Sequence, residues 1–281
     1  MPEYFIPTTL GKIHATVSGT GDAMVLWPSM LTDHTLWDRQ VEYFADRYTT
    51  IAIDPPGHGL SEPLTHHFDF AESARCYVEI LDWLGIEWAH LVGNSWGAMT
   101  GATITARYPD RVGSAVLMNG TASVAPRRQR IKVMAQARLG RLSARLPDVV
   151  ERRVSRPVVD HSVIRMFFGP TALRDQPDLT TRISELVHSH DVRSVGLAGE
   201  SVVSRRPDQH ILLAAITSPV LILAGREDPT FPVDEVSRMA AAIVGSEFVV
   251  IDNAAHLVAV EAPDTVNALI DDFLDRHPIE R

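Results

Sequence analysis

The sequence predicts an α/β fold, with an eight-stranded, mostly parallel sheet flanked by helices and a helical segment inserted between two of its strands. Short apolar runs rich in β-branched residues alternate with longer segments of helical periodicity, which is the pattern of βα units. This alternation stops once, for about 90 residues. A chain of 281 residues with 45% hydrophobic content is long enough to bury the core of such a fold.

Eight apolar runs are predicted to form the strands. The first two, FIPT and IHATVSG, follow each other closely, so we expect an antiparallel hairpin at one edge of the sheet. The other six are, in order, MVLWP, TTIAID, HLVGN, AVLMNG, PVLILAG and EFVVID. Helices are predicted at 35–47, 70–84, 96–108, 233–243 and 264–275, the last on the i, i+3, i+4 spacing of VNALIDDFL.

The inserted segment, 123–215, is predicted to be a helical cap on a core formed by 1–122 and 216–281. It has 16 Lys and Arg against 9 Asp and Glu, a net charge of +7 that leaves −16 for the rest of the chain. Two interpretations of this charge stay open: a positive roof that attracts anionic substrates, or solvated helix faces. The arginines concerned are Arg127, Arg128, Arg130, Arg138, Arg141 and Arg145.

Composition argues against several classes of partner. A net charge of −9 disfavours nucleic acid. No basic segment followed by an apolar run opens the chain, and no stretch reaches 18 uninterrupted apolar residues, so we expect a cytoplasmic protein that binds no membrane. The single cysteine, Cys76, falls in a helical stretch and is interpreted as a buried thiol. Oligomeric state is not indicated.

The segment HLVGNSWGAMTG places Ser95 directly after a predicted strand and at the start of a predicted helix. A sharp turn of this kind exposes a serine nucleophile, and Gly93 and Gly97 then lack side chains for a steric reason. The helix N-terminus next to Ser95 would favour a developing negative charge. Ser95 is therefore the candidate nucleophile.

A serine nucleophile needs a base, and the base needs an orienting acid. His256 follows the eighth predicted strand, and Asp228 follows the seventh, in a loop at the same edge of the sheet. Asp234 and Asp252 are the rival acids, but Asp234 is predicted to open a helix and Asp252 is too close in sequence to His256 to lie opposite it.

The remaining histidines give no sign of a metal site. His66, His67, His188 and His190 fall in polar or helical stretches and are interpreted as solvated surface residues. None has a clear set of Cys or acidic partners at metal-ligand spacing, so we predict neither a metal nor another cofactor.

Four motifs in this order give the chain a resemblance to the α/β-hydrolase superfamily: IDPPGHGLS, GNSWG, GREDPTFP and NAAHLVAVEAP. The resemblance covers everything outside the insert and implies the α/β-hydrolase fold. It also implies a structural loop role for His58. After the third strand the family usually has His-Gly, whereas Pro28 and Ser29 stand here.

The oxyanion hole needs only backbone N–H groups, so it can survive that substitution. By the resemblance, Met30 and Trp96 are the expected donors. Ser29 either adds a polar contact or packs within its loop.

The favoured hypothesis is a serine hydrolase that cleaves an ester or lactone of a small substrate through an acyl-enzyme, since the chain resembles 3-oxoadipate enol-lactonases and related bacterial esterases. Asn94 resembles instead the elbow of carbon–carbon hydrolases acting on dienoate ring-fission products. Those enzymes have Trp after the catalytic His, where this chain has Leu257. A non-catalytic binding protein is a third alternative. Candidate pocket residues are Ser29, Asn94, Met134, Phe167, Phe168 and Leu257.

Overall fold

The structure, a computed structural model, describes residues 1–143 and 156–278. In this part of the chain, eight strands form one sheet in the order β1-β2-β4-β3-β5-β6-β7-β8. In chain order the strands are β1 Glu3–Thr8, β2 Gly11–Ser18, β3 Asp22–Trp27, β4 Tyr48–Ile53, β5 Ala89–Asn94, β6 Val112–Met118, β7 Val220–Gly225 and β8 Glu247–Ile251. All eight predicted strands are confirmed.

The sheet is parallel except at one edge. β1 pairs antiparallel with β2, as the short connection between them predicts. β2 also pairs antiparallel with β4, whereas the remaining neighbours pair in parallel. In a parallel sheet the carboxyl ends of the strands lie at one edge, so the loops that follow β5, β6, β7 and β8 can meet there.

Helices connect the strands and lie on both faces of the sheet. In chain order they are α1 Asp38–Phe44, α2 Phe70–Leu84, α3 Trp96–Arg107, α4 Arg127–Ser143, α5 Arg156–Phe167, α6 Pro170–Asp175, α7 Pro177–Ser189, α8 Val192–Gly199, α9 His210–Leu213, α10 Val233–Ala241, α11 Val258–Glu261 and α12 Pro263–Arg276. Four of the five predicted helices agree with α2, α3, α10 and α12 to within two residues at either end. None of the helices described is long and apolar enough to cross a membrane.

The helix predicted at 35–47 is instead a 3₁₀ turn, His34–Trp37, followed by the shorter α1. Asp33 begins the turn, because its carboxylate accepts hydrogen bonds from the N–H of Thr35 at 2.9 Å and from its hydroxyl at 2.6 Å. Side chains of this kind satisfy the free N–H groups at a helix start, and periodicity alone does not locate that start.

The apolar core has two halves, one on each face of the sheet. Successive strand residues alternate between them: Trp27 packs in one half and Leu26 in the other, and Ile222 and Leu221 divide in the same way. This alternation follows from the period of two of a β-strand. Buried runs such as β7 are therefore apolar throughout, because both faces are covered.

Between β6 and β7 the described residues form the helices α4 to α9 and a short π-helix, Glu200–Ser204, with no strand among them. The proposed cap, 123–215, contains all of these helices. Of its arginines, Arg127, Arg128, Arg130 and Arg138 are exposed, which favours the interpretation as solvated faces. The side chain of Arg141 and the whole of Arg145 lie outside the described residues.

Candidate active site

Ser95 lies on the turn between β5 and α3, in the position the motif predicts. Its backbone has φ 55° and ψ −105°, and its N–H donates to the carbonyl of Met118 on β6 at 2.8 Å. A positive φ is costly for a residue with a side chain, and such strain is characteristic of functional positions. The turn points the residue away from the sheet at the carboxyl end of β5.

Gly93 and Gly97 allow β5 and α3 to approach closely. A Cβ atom added to Gly93 would lie 2.4 Å from the backbone carbonyl group of Gly97. One added to Gly97 would lie 2.0 Å from the carbonyl oxygen of Trp27, at the end of β3. Both contacts are far shorter than van der Waals distance and involve backbone atoms, so the predicted steric role of the two glycines is confirmed.

The three predicted polar residues form one line of hydrogen bonds. Nε2 of His256 lies 2.8 Å from Oγ of Ser95, and Nδ1 of His256 lies 2.8 Å from Oδ2 of Asp228. All three side chains are buried. An imidazole held between a hydroxyl and a carboxylate can take the hydroxyl proton, while the carboxylate fixes the tautomer and stabilises the resulting cation.

The carboxylate of Asp228 is held in place by its own loop. Its second oxygen, Oδ1, accepts hydrogen bonds from the N–H groups of Thr230 at 2.7 Å and Phe231 at 3.1 Å. The rival acids lie elsewhere: Asp252 is exposed and pairs with Arg226, and Asp234 lies in the first turn of α10. The structure thus brings only the favoured acid of the three to His256.

The loop that carries His256 is held by three polar side chains. The amide Nδ2 of Asn94 donates to the carbonyl of His256 at 3.0 Å, and Nδ2 of Asn119 donates to the same carbonyl at 2.8 Å. On the other side, the carboxyl oxygens of Glu261 accept from the N–H groups of Ala255 at 3.0 Å and Leu257 at 2.8 Å. The position of His256 therefore depends on both β5 and β6.

Two aromatic rings enclose the imidazole of His256. Phe167 stacks on it, with ring centroids 5.6 Å apart and planes inclined by 6°, and Phe231 lies at 5.6 Å with its plane inclined by 52°. The carbonyl of Phe167 also accepts the backbone N–H of His256 at 3.0 Å. Phe167, which the sequence suggested as a pocket residue, thus lies in direct contact with the predicted base.

The two predicted oxyanion donors have N–H groups available for a ligand. The hydrogen bonds among the described residues include none donated by the backbone N–H of Met30 or of Trp96. Trp96 is the first residue of α3, where backbone N–H groups lack partners within the helix. Next to Met30, Ser29 is fully buried, and its Oγ has no hydrogen-bond partner in the described structure.

The other candidate pocket residues lie in different environments. Phe168 and Leu257 are buried in the half of the core that contains Phe167. Met134 lies on an outer face of α4 and is 40% exposed, beside the exposed Ile131. The described contacts thus place Met134 on the molecular surface.

The indole of Trp96 packs inside the core. It stacks on Phe68 with ring centroids 5.6 Å apart, and the imidazole of His58 lies 5.5 Å away. His58 donates from Nδ1 to the carbonyl of Pro56 at 3.1 Å, and burial lowers the pKa of His58 to about 3. A neutral, buried His58 agrees with the expected structural role.

The interpretation of His190 as a solvated surface residue is wrong. His190 is buried, its Nδ1 accepts the N–H of Gly59 at 3.1 Å, and its ring lies 5.0 Å from that of His58. Burial lowers the pKa of His190. The partner lies 131 residues away in the chain, so the local pattern VHSHD contains no signal of this contact.

Among the described residues, one group of histidines and carboxylates is compact enough to hold a metal ion: His14, His34 and Asp54. Asp54 already accepts from Nδ1 of both imidazoles, at 2.9 and 2.6 Å, and from the N–H groups of His34 at 2.8 Å and Leu60 at 2.7 Å. Burial opposes ionisation of Asp54, but the hydrogen bonds from His14 and His34 outweigh it and hold its pKa well below the usual range. These hydrogen bonds explain why the three side chains lie so close together, so we interpret the group as a structural junction.

Comparisons with known proteins agree with this fold. The profile described as alpha/beta hydrolase fold matches residues 22–162, and the one described as TAP-like protein matches 198–280. The chain is 27% identical over 257 residues to 3-oxoadipate enol-lactonase 2 of Acinetobacter baylyi, covering 90% of this chain and 89% of that protein. It is 28% identical over 275 residues to a 2-hydroxy-6-oxononadienedioate/2-hydroxy-6-oxononatrienedioate hydrolase of Escherichia coli, covering 94% and 91%.

Solved structures show the same architecture. A thermophilic esterase from Thermogutta terrifontis matches with a TM-score of 0.87 at 25% identity, over 99% of this chain and 100% of that chain. The enol-lactonase from Burkholderia xenovorans LB400 matches with a TM-score of 0.83 at 21% identity, over 98% and 100%, which supports the fold alone. With a family profile covering half of its length and an eight-stranded sheet in agreement, the chain belongs to the alpha/beta hydrolase fold family.

Proposed function

We propose that this protein is a serine hydrolase that cleaves a carboxylic ester or lactone of a small substrate through an acyl-enzyme. The observation that carries the proposal is the line of hydrogen bonds from Ser95 through His256 to Asp228, with 2.8 Å at each step. Ser95 also occupies the strained turn at the start of α3, where a negative charge is favoured.

The proposed reaction has two stages. In the first, Oγ of Ser95 attacks the substrate carbonyl while Nε2 of His256 takes its proton, and Asp228 stabilises the imidazolium. The N–H groups of Met30 and Trp96 bind the oxyanion. His256 then gives the proton to the leaving alkoxide. In the second stage His256 activates a water molecule that releases the acid and regenerates Ser95, without a cofactor.

The similar proteins support small-molecule substrates. One is named as an enol-lactonase and another as an esterase, which was solved with malate bound. A third is named as a (E)-2-((N-methylformamido)methylene)succinate hydrolase, at 25% identity over 272 residues. The lactone, the succinate and malate all carry carboxylate groups, so we extend the proposal to substrates that bear an acidic group.

A carbon–carbon hydrolase is the second candidate, because relatives named as nonadienedioate hydrolases match over similar lengths of the chain. The feature that suggested it, Asn94, has another explanation here. Its amide supports the carbonyl of His256, as Asn119 does, so its presence does not require carbon–carbon chemistry. The buried Leu257 also stands where the carbon–carbon hydrolases have Trp.

The test compares the wild type with Ser95→Ala on p-nitrophenyl acetate and butyrate, on simple lactones, and on a coloured dienoate ring-fission product. We expect ester or lactone turnover and fluorophosphonate labelling by the wild type, and loss of both in Ser95→Ala. Thr100→Val on α3 is the matched control, because its buried hydroxyl has no hydrogen-bond partner in the described structure. It should be labelled like the wild type.

The possible results separate the hypotheses. Preferential turnover of the dienoate would establish the carbon–carbon hydrolase instead. Labelling that persists in Ser95→Ala would contradict the proposed nucleophile. A wild type that is inert on the whole panel but thermally stabilised by one of these compounds would indicate a binding protein.

A further inference from the structure

Arg206 is a buried arginine at the end of the helical insert. It is only 4% exposed, whereas the adjacent Arg205 is exposed. It is the second residue after the π-helix Glu200–Ser204, which Arg205 ends by donating its N–H to the carbonyl of Glu200, five residues back, at 2.9 Å. Short π-helical segments are frequent at functional sites, and the buried Arg206 lies just beyond this one.

The guanidinium of Arg206 contacts uncharged groups. Its Nε donates to the carbonyl of Ser123 at 2.7 Å, and Nη1 lies 3.3 Å from Sδ of Met99. Its Cζ lies 5.8 Å from the ring centroid of Phe231. Nη2 has no hydrogen bond to any described residue. A thioether is a weak acceptor, so the outer edge of the guanidinium has two N–H groups available to one planar anion.

No described carboxylate forms an ion pair with Arg206. Glu235 is the acid whose charge acts on it, but that carboxylate is bound by the hydroxyl of Thr121 and the guanidinium of Arg238. Burial lowers the pKa of Arg206 to about 10, which leaves it a cation at neutral pH. A largely buried cation without a described counter-charge is stabilised by an anion that reaches it, so Arg206 is suited to binding an anionic group.

The unpaired cation lies beside the proposed catalytic residues. Met99, its thioether contact, is one helical turn after Ser95 and donates its N–H to the carbonyl of Ser95 at 3.0 Å. Phe231, its aromatic contact, has its centroid 5.6 Å from that of His256. The Cζ atom of Arg206 therefore lies within about 12 Å of the imidazole centroid.

We propose that Arg206 binds a second carboxylate at the far end of the substrate's acyl group, so that the enzyme prefers half-esters of short dicarboxylic acids. This inference rests on the proposed serine hydrolase function. One unpaired positive charge balances one carboxylate, whose two oxygens match the pair of guanidinium N–H groups. Specificity would then come from a buried ionic contact near the acyl site and not from the exposed arginines of α4.

The experiment measures kcat/KM for mono-p-nitrophenyl glutarate and for p-nitrophenyl pentanoate, which have the same acyl length and differ in the terminal carboxylate. We expect the wild type to favour the glutarate ester. Arg206→Met should lower kcat/KM for the glutarate ester by about 10- to 150-fold, the range of a charge-assisted hydrogen bond, and leave the pentanoate value within about threefold. The ratio of the two values does not depend on the folded fraction.

Arg205→Met is the matched control, because it removes the same charge from the neighbouring exposed position. It should keep the wild-type ratio, which separates a specific contact from general electrostatic attraction. If Arg206→Met does not fold, competition on the wild type decides the question. With p-nitrophenyl pentanoate as the substrate, the inhibition constant of glutarate should then be at least about tenfold lower than that of butyrate.

Two results would overturn the inference while the proposed function stands: a wild type that hydrolyses both esters equally, or equal losses on both esters in Arg206→Met. Failure of the proposed function is recognised separately, by absence of turnover on either ester. In that case isothermal titration of glutarate decides the anion site, which is supported if binding is lost in Arg206→Met and contradicted if it is retained.

Discussion

The carbonyl of His256 offers a quantitative test of how the site is held together. It accepts hydrogen bonds from two side chains, Asn94 at the end of β5 at 3.0 Å and Asn119 directly after β6 at 2.8 Å. The perturbation is a double-mutant cycle of Asn94→Ala and Asn119→Gly. Glycine is used at position 119 because its φ is 48°, where alanine would add backbone strain unrelated to the hydrogen bond.

The magnitudes follow from the number of partners lost. Asn94→Ala leaves the His256 carbonyl one donor and should cost about 1 kcal/mol of unfolding free energy. Asn119→Gly also removes the donor to Ala255 and the acceptor for the N–H of Gly225, so it should cost about 2 to 4 kcal/mol. Only the double mutant leaves the buried carbonyl of His256 unpaired, so its loss should exceed the sum by about 1 to 2 kcal/mol.

Urea unfolding of the four proteins at neutral pH measures the coupling, and kcat on p-nitrophenyl butyrate shows whether it reaches the site. The double mutant should also lose more activity than the single effects combined, because both amide contacts to the His256 carbonyl are then lost. A control cycle replaces Asn119→Gly by Asn267→Ala, because Asn267 is a buried asparagine that bonds to Gln40 and Arg39 instead. The losses of unfolding free energy in Asn267→Ala and Asn94→Ala should be additive. Additivity of Asn94→Ala and Asn119→Gly within about 0.5 kcal/mol would refute the reasoning.

Three further predictions concern single residues. Burial raises the pKa of Glu261 from 4.5 to about 8, so its contribution to stability is full below pH 4.5 and is lost as pH rises toward 8. Urea unfolding between pH 4.5 and 8 should show this decline in the free energy of unfolding of the wild type, and Glu261→Gln should lack it. The same pH dependence in Glu261→Gln and the wild type would contradict the assignment. Gly97→Ala places a Cβ atom 2.0 Å from the carbonyl oxygen of Trp27 and should cost about 3 kcal/mol or more, so a variant that melts like the wild type would exclude this clash. Phe167→Leu removes the ring stacked on His256 and should lower kcat by about 2- to 10-fold, whereas an unchanged kcat would exclude a positioning role.

Most of the fold could be predicted because its signals are local. The run PVLILAG predicts a strand covered on both faces, and β7 is buried over its whole length. The short hairpin connection predicts the antiparallel pair of β1 and β2. The 3₁₀ turn that precedes α1 could not be predicted from periodicity, because it begins with a side-chain hydrogen bond at Asp33.

The residues of the candidate site also differ in whether a local sequence pattern predicts their role. The turn at Ser95 is encoded by two glycines within two residues of it, although the contact that Gly97 permits, with the carbonyl of Trp27, lies 70 residues away in the chain. By contrast, the roles of Asn119 and Glu261 in holding the His256 loop had no signal in isolation. Asn119 directly follows β6, and its amide acts on a carbonyl 137 residues further along the chain.

Arg206 shows why the remaining features needed the tertiary structure. In the sequence it is one of two adjacent arginines in SRRPDQ, and nothing distinguishes it from its neighbour. The folded chain buries one and exposes the other. The sequence by itself determined the chain order of strands and helices, the elbow and the candidate residues, because hydrophobic periodicity and turn motifs are recognised within a few residues. Only the tertiary structure decided which polar groups meet and which charge stays unpaired, because burial depends on contacts between segments more than a hundred residues apart.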